Sequence, residues 1–173
     1  MEIRRDSLPD DRATPCPVPP EQRPLQEYEQ LCRSWFFSWP AASGGSLSRA
    51  LVLSWLLQLP LSLLVASGSI QLRSQPSRLV LVAMVASLLL PLLLLLRQWL
   101  GWFYVHRRLR SERVEYEESG WYDGQVWEKP LLWRQQDLLV DRHQLAPVLL
   151  RLKTALALTA ALLVVGMGLC QAL

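Results

Sequence analysis

The sequence has little of what most enzyme chemistry needs. Among 173 residues there are three cysteines, two histidines and eight glycines. His106 and His143 fall in no nucleophile or zinc spacing, and no glycine-rich loop stands where it could cradle a phosphate. No catalytic residue is therefore assigned, and the chain is read as a non-enzyme. No apolar run follows the first charges as in a secretory signal. The early acids do not suit a transit peptide, so the chain is expected to be made in its home compartment. Charge is missing from three long stretches: residues 50–72, 79–96 and 154–173 contain no Asp, Glu, Lys or Arg. They are 23, 18 and 20 residues long, and about 20 apolar residues cross a bilayer core. Nothing else apolar in the chain could cover three such helices in a soluble protein. The net charge of +3 is too small, and too close to these stretches, to indicate nucleic-acid binding.

What is present describes an architecture. The fold class expected is an all-α membrane protein: three transmembrane helices, an N-terminal amphipathic helix and a small cytoplasmic β-hairpin. The first segment, 1–46, carries the amphipathic helix at 25–39. Spans follow at 47–67, 79–100 and 148–171. A cytoplasmic loop at 101–147 holds the hairpin at 113–129. Arg97, Arg107, Arg108, Arg110, Arg113, Lys129, Arg134 and Arg142 crowd around that loop, whereas the connection after the first span has only Arg73 and Arg78. By the positive-inside rule the N-terminus and the long loop face the cytoplasm or stroma.

Within the spans, Pro60 and Pro91 each remove a backbone donor and are expected to kink their helices. Small residues recur four apart at Ser62 and Ala66, Ala83 and Ser87, and Ala157 and Ala161, which lets backbones approach closely. Apart from Cys170 the three uncharged stretches hold no ionisable side chain, which argues against a pump or channel working alone. Cys170 lies across the membrane from Cys16 and Cys32, which share the reducing side, so structural disulfides are not expected.

Leu25, Tyr28, Leu31, Cys32, Trp35, Phe36 and Trp39 share one helical face. Such a helix either lies in the membrane interface or covers the protein's own loop. Trp99, Trp102, Phe103 and Tyr104 read as an aromatic belt with Arg107, Arg108 and Arg110 at headgroup level. In the loop, Val114 and Tyr116 alternate with Glu115 and Glu117, and Asp123-Gly124 reads as a tight turn with positive φ at the glycine. Gln125 onward forms the return strand, ended by Pro130. Each element is marginal alone. They are expected to form one surface, Trp35 and Phe36 packing on Trp121, Tyr122 or Trp127. Trp35, Phe36, Trp39, Trp121, Tyr122 and Trp127 are the candidate partner-binding residues. Glu117, Glu118 and Asp123 are candidate ligands for a hard cation, or a solvated rim balanced by the neighbouring arginines. Cys16, followed by Pro17, is a candidate thiolate for haem iron. No cofactor is assigned.

Several segments together resemble one family. They are Cys16-Pro17-Val18-Pro19-Pro20-Glu21-Gln22-Arg23-Pro24, Glu27-Tyr28 and Ser34-Trp35-Phe36-Phe37-Ser38-Trp39. Leu100-Gly101-Trp102, Tyr104-Val105, Arg108-Leu109 and Tyr116-Glu117-Glu118-Ser119-Gly120-Trp121-Tyr122-Asp123-Gly124-Gln125 complete the set. They resemble the cyanobacterial and plastid membrane proteins described as conserved in the green lineage and diatoms. After Pro130 the resemblance thins to Asp137, within Gln136-Asp137-Leu138-Leu139. It implies a photosynthetic source and a thylakoid or plasma membrane of cyanobacterial or plastid type. The expected partners are the lipid bilayer and a membrane protein, for which the chain would be an accessory or assembly factor. A metal- or haem-handling role linked to iron balance is the alternative it implies.

Overall fold

The computed structural model describes residues 17–42, 45–116 and 124–172. Pro24 opens α1 (Pro24–Arg33), with Glu27 in its first turn; proline suits that position and an acid suits the positive end of the helix. The helix stops at Arg33, short of the 39 expected from its apolar face. Ser34 is extended, with φ −67° and ψ 130°, and Trp39 precedes Pro40, which disfavours helical backbone. Residues 34–42 form a series of turns.

Three helical rods follow, each long and apolar enough to cross a membrane. The first is α2 (Ser46–Ser67), entered through Gly45 at φ 78° in the left-handed region. A short turn of helix, α3 (Ile70–Arg73), leads to α4 (Pro76–Ser87). The second rod is α4 continued by α5 (Leu89–Arg110), 35 residues in all. The third is α6 (Leu131–Val140), a π turn at Asp141–Leu145 and α7 (Ala146–Ala172), 42 residues in all. At 1.5 Å per residue these last two are roughly 52 and 63 Å long, against a hydrocarbon core of about 30 Å. Much of what reads in the sequence as a loop at 101–147 is therefore helix projecting from two of the rods.

The seam between α2 and α4 is made by small residues. Ser62, Ala66, Ala83 and Ser87 are all buried, as their spacing implies. Ala157 and Ala161, read the same way, are exposed. On α7 the close approach is made instead by Gly166, where a Cβ would lie 2.5 Å from a Val85 methyl on α4.

Pro91 divides α4 from α5 by its missing N–H. At that step the Leu88 N–H bonds the Val85 carbonyl at 3.1 Å, a tighter turn that releases the Met84 carbonyl from its helical partner. Met84 O instead accepts from Trp55 Nε1 at 3.2 Å and Ser87 Oγ at 2.7 Å. A freed carbonyl in an apolar medium must find such partners. At Pro60, by contrast, α2 runs through as one element.

The main core lies at the arginine-rich ends of the rods, where Leu95, Trp102, Val105 and Leu109 of α5 meet Leu145, Val148 and Leu152. A two-stranded antiparallel hairpin, β1 (Arg113–Tyr116) and β2 (Gln125–Glu128), caps that end. Its register, Tyr116 opposite Gln125, closes it over residues 117–124. Gly124 directly precedes β2, and Asp123 of the expected Asp123-Gly124 turn lies outside the described residues. Val114 and Tyr116 point inward onto Val18, with Trp127 packed beside them, so an extended N-terminal segment supports the hairpin.

Gly101 on α5 is where the N-terminal turns come closest. A Cβ there would lie 2.6 Å from the Phe37 ring. Gly101→Leu is expected to lower stability by about 1–3 kcal/mol through overpacking, measured as the thermal midpoint in detergent. Adding Phe37→Ala should recover much of the loss. An unchanged midpoint in the single variant would mean that this contact is not tight.

Candidate functional site

The site grows from the C-terminal end of α5, where three basic residues occur in the last turn. Arg108 there reaches three separate parts of the chain. It donates to Glu27 Oε1 on α1 at 2.5 Å, to the Gln22 carbonyl at 3.0 Å and to the Glu115 carbonyl on β1 at 3.1 Å. Its guanidinium also lies beside the Tyr104 ring and hydroxyl. A planar fork with five donors suits this task better than an ammonium. Burial pushes the Glu27 carboxyl above its ordinary value, against the pull of the Arg108 charge and hydrogen bond.

Lys129 completes the same helix end from the other side. Its side chain is 1% exposed, and its ammonium is fully used. It donates to the carbonyls of Arg108 at 2.9 Å and Leu109 at 3.3 Å, and to Asp137 Oδ2 at 2.6 Å. A cation on the last carbonyls of a helix is favourable, and the Asp137 carboxylate on α6 neutralises it. One helical turn further along the third rod, Asp141 repeats the pattern. It is buried at the π turn and meets His106 Nδ1 of α5 at 2.5 Å. The buried stripe that starts at Asp137 and Asp141 continues as Leu145, Val148 and Leu152.

The N-terminal segment runs along α5 as a strap. Arg23 lies over the Trp133 ring, Tyr28 packs edge-on to Trp102, and Gln98 Nε2 donates to the Phe36 carbonyl at 2.9 Å. At its lower end Arg151 of α7 donates to the Pro40 carbonyl at 3.1 Å. These bonds fix the turn that carries three of the candidate partner-binding residues. Trp35, Phe36 and Trp39 form an edge-to-face cluster with centroids 5.0–6.0 Å apart. Trp35 is 78% exposed.

Of the hairpin residues expected to meet this cluster, Trp127 is described and packs elsewhere. Trp127 packs edge-on to Trp133, with centroids 5.5 Å apart, and joins Val18, not Trp35 or Phe36. The helix bearing Trp133 begins just after Pro130. Trp121, Tyr122, Glu117, Glu118, Asp123 and Cys16 lie outside the described residues. Among the described residues no group of three His, Cys, Asp or Glu could hold a metal. Sequence reading missed the roles of Arg108, Lys129, Asp137, His106 and Asp141. The signal available for two of them was the helical spacing of Asp137 and Asp141 with Leu145.

A family model described as CGLD27-like, conserved in the green lineage and diatoms 27, matches residues 16–158. The chain is 38% identical over 144 residues to the uncharacterized protein ycf36 of Pyropia yezoensis, covering 83% of this chain and 87% of that protein. It is 36% identical over 148 residues to the ycf36 protein of Cyanophora paradoxa, covering 86% and 93%. It is 39% identical over 155 residues to the chloroplastic protein conserved in the green lineage and diatoms 27 of Arabidopsis thaliana. That match covers 89% of this chain and 47% of the Arabidopsis protein, so the chain spans about half its length. No solved structure matches the chain.

Three outcomes follow from the charge arrangement. Lys129→Met should cost about 3–5 kcal/mol by leaving the buried Asp137 charge unpaired, whereas Lys129→Met with Asp137→Leu should recover most of it. Equal losses in the single and double variants, by thermal unfolding in detergent, would mean that packing and not charge decides. Glu27 behaves differently. Because its carboxyl is raised in the fold, its contribution is fully present below the ordinary value of 4.5 and is lost as pH rises through the folded value. Glu27→Gln should therefore hold or slightly raise the unfolding midpoint at neutral pH and flatten that part of the pH profile. Arg108→Met, which strands Glu27 and two carbonyls, should lower stability by about 2 kcal/mol or more, read as a lower thermal midpoint.

Proposed function

This chain belongs to the CGLD27-like family, and on that premise we propose that it is a non-enzymatic, multi-pass membrane protein of photosynthetic cells. In this reading it is an accessory or assembly factor that presents an aromatic surface to a partner membrane protein. The observation that carries the reading is Trp35. It is largely exposed, yet it sits on a turn tied to two rods through Phe36 and Pro40. A tryptophan held in place before binding loses little freedom on contact, which is how interface anchors gain affinity. Phe36 and Trp39 buttress it edge-on.

The membrane part of the proposal is supported by the three long apolar rods, of whose apolar windows at most 22% is buried within the chain. Leu57, Leu64, Leu158 and Val164 are among the exposed residues, and lipid is the natural cover for them. Orientation follows from the arginines. The N-terminal strap, the hairpin and the projecting ends of the rods are placed on the cytoplasmic or stromal side. The membrane is a thylakoid or plasma membrane of cyanobacterial or plastid type, in keeping with the chloroplastic relative.

A photoreactive amino acid in place of Trp35, activated in native membranes, is expected to give a discrete protein adduct. Adducts with lipid alone would overturn the partner reading and leave the turn as a membrane anchor. Protease added to sealed inside-out vesicles should cut within residues 117–124. Full protection there, with cleavage near 68–75 instead, would reverse the orientation.

A further inference from the structure

We propose that the cavity between the end of α5 and the hairpin is a binding site for a phosphate-bearing anion, supplied by the headgroup of an anionic lipid. The inference rests on the membrane placement proposed above, and not on the partner. The cavity has a volume of about 660 Å³, within the range of roughly 300–1,000 Å³ usual for small-molecule sites. Its walls carry three guanidinium groups, Arg107, Arg108 and Arg113, and the hydroxyl groups of Tyr104, Ser111 and Tyr116. Among the described lining residues Glu115 alone carries a carboxylate, and its backbone carbonyl accepts from Arg108.

These three arginines are not equivalent. Arg108 is committed to Glu27 and the strap, and Arg113 meets Glu128 in an exposed pair at 3.2 Å. Arg107 is exposed and has no ion-pair partner among the described residues. It is a free charge at the mouth of a walled, hydroxyl-lined cavity. Guanidinium groups bind phosphate oxygens in pairs of parallel hydrogen bonds.

One physical objection is that the end of a helix repels anions, because its last carbonyls carry partial negative charge. Here that charge is cancelled. Lys129 Nζ donates to the carbonyls of Arg108 and Leu109, and the Ser111 N–H bonds the Arg107 carbonyl at 3.1 Å. The lining arginines therefore act without opposition from the helix that carries them. Depth selects the source. Arg107 lies three residues beyond Tyr104, about 4.5 Å along the helix axis, and tyrosine at the edge of an aromatic belt sits at headgroup level. The phosphate of a lipid lies where this cavity opens.

The test uses the full-length chain in nanodiscs of phosphatidylcholine alone or with phosphatidylglycerol added, and the same chain in neutral detergent with inorganic phosphate. Arg107→Gln is the main variant, since its side chain has no hydrogen-bond or ion-pair partner among the described residues. Arg113→Gln, which breaks only an exposed pair, is the second. Phosphatidylglycerol should be retained by the wild type in native mass spectrometry and should raise its thermal midpoint. Either variant should weaken retention about tenfold, as expected for the loss of a charge-assisted hydrogen bond. Saturable stabilisation by inorganic phosphate alone, also lost in Arg107→Gln, would support the site and assign it a free phosphate in place of a lipid. Wild type and both variants that respond equally to every probe would overturn the proposal. A lipid-only adduct at position 35 would remove the partner reading and leave these results unaffected.

Discussion

One helix end holds the polar half of this molecule together. The carbonyls that terminate α5 are occupied by a buried ammonium from position 129, and the guanidinium of Arg108 on the same turn gathers the strap and the first strand. Without the ammonium, the helix end would present unpaired carbonyls to a closed space and Asp137 would be a bare buried charge. Without the guanidinium, α1 and the hairpin would each be too short to persist. Both cations are spent on structure, whereas Arg107, one residue away, has no ion-pair partner among the described residues.

The rods and the long apolar stretches were legible in the sequence because three runs without charge are each long enough to form a whole helix that could cross a bilayer core. So were the α2–α4 seam, whose small residues are spaced one helical turn apart, and the inward alternation of Val114 and Tyr116. The extent of the helices was hidden. Asp137 and Asp141 sit at core positions of an amphipathic stripe, and an acid at such a position reads as a loop until its partner is known. Those partners, Lys129 and His106, are 8 and 35 residues away. The early end of α1 was hidden for a related reason. Trp35, Phe36 and Trp39 fit a helical face, but Phe37 must reach Gly101 and Gln98 must reach the Phe36 carbonyl. Those tertiary contacts favour turns over another helical turn.

The candidate site was only partly readable. Its aromatic members could be named, since exposed tryptophans beside a membrane are rare and costly. Its grouping could not. Trp133 was unassigned, and it contacts both Trp127 and Arg23, so the described aromatics divide into a half-buried hairpin support and an open cluster around Trp35. The cavity under the hairpin needs the backbone register, because its arginines share it with Tyr116 across a strand pairing that composition cannot show.

The wiring of Arg108 also sets an order of events during synthesis. Arg108 is made 81 residues after Glu27 and before Glu115. At about 5–20 residues per second the strap waits roughly 4–16 seconds for its dock to be translated. Through that interval Tyr28 and Phe36 have no α5 to lie against, while the apolar residues of α2 are already made. The nascent strap is then an unattached aromatic segment, and the ribosome, not the folded state, determines how long it stays one.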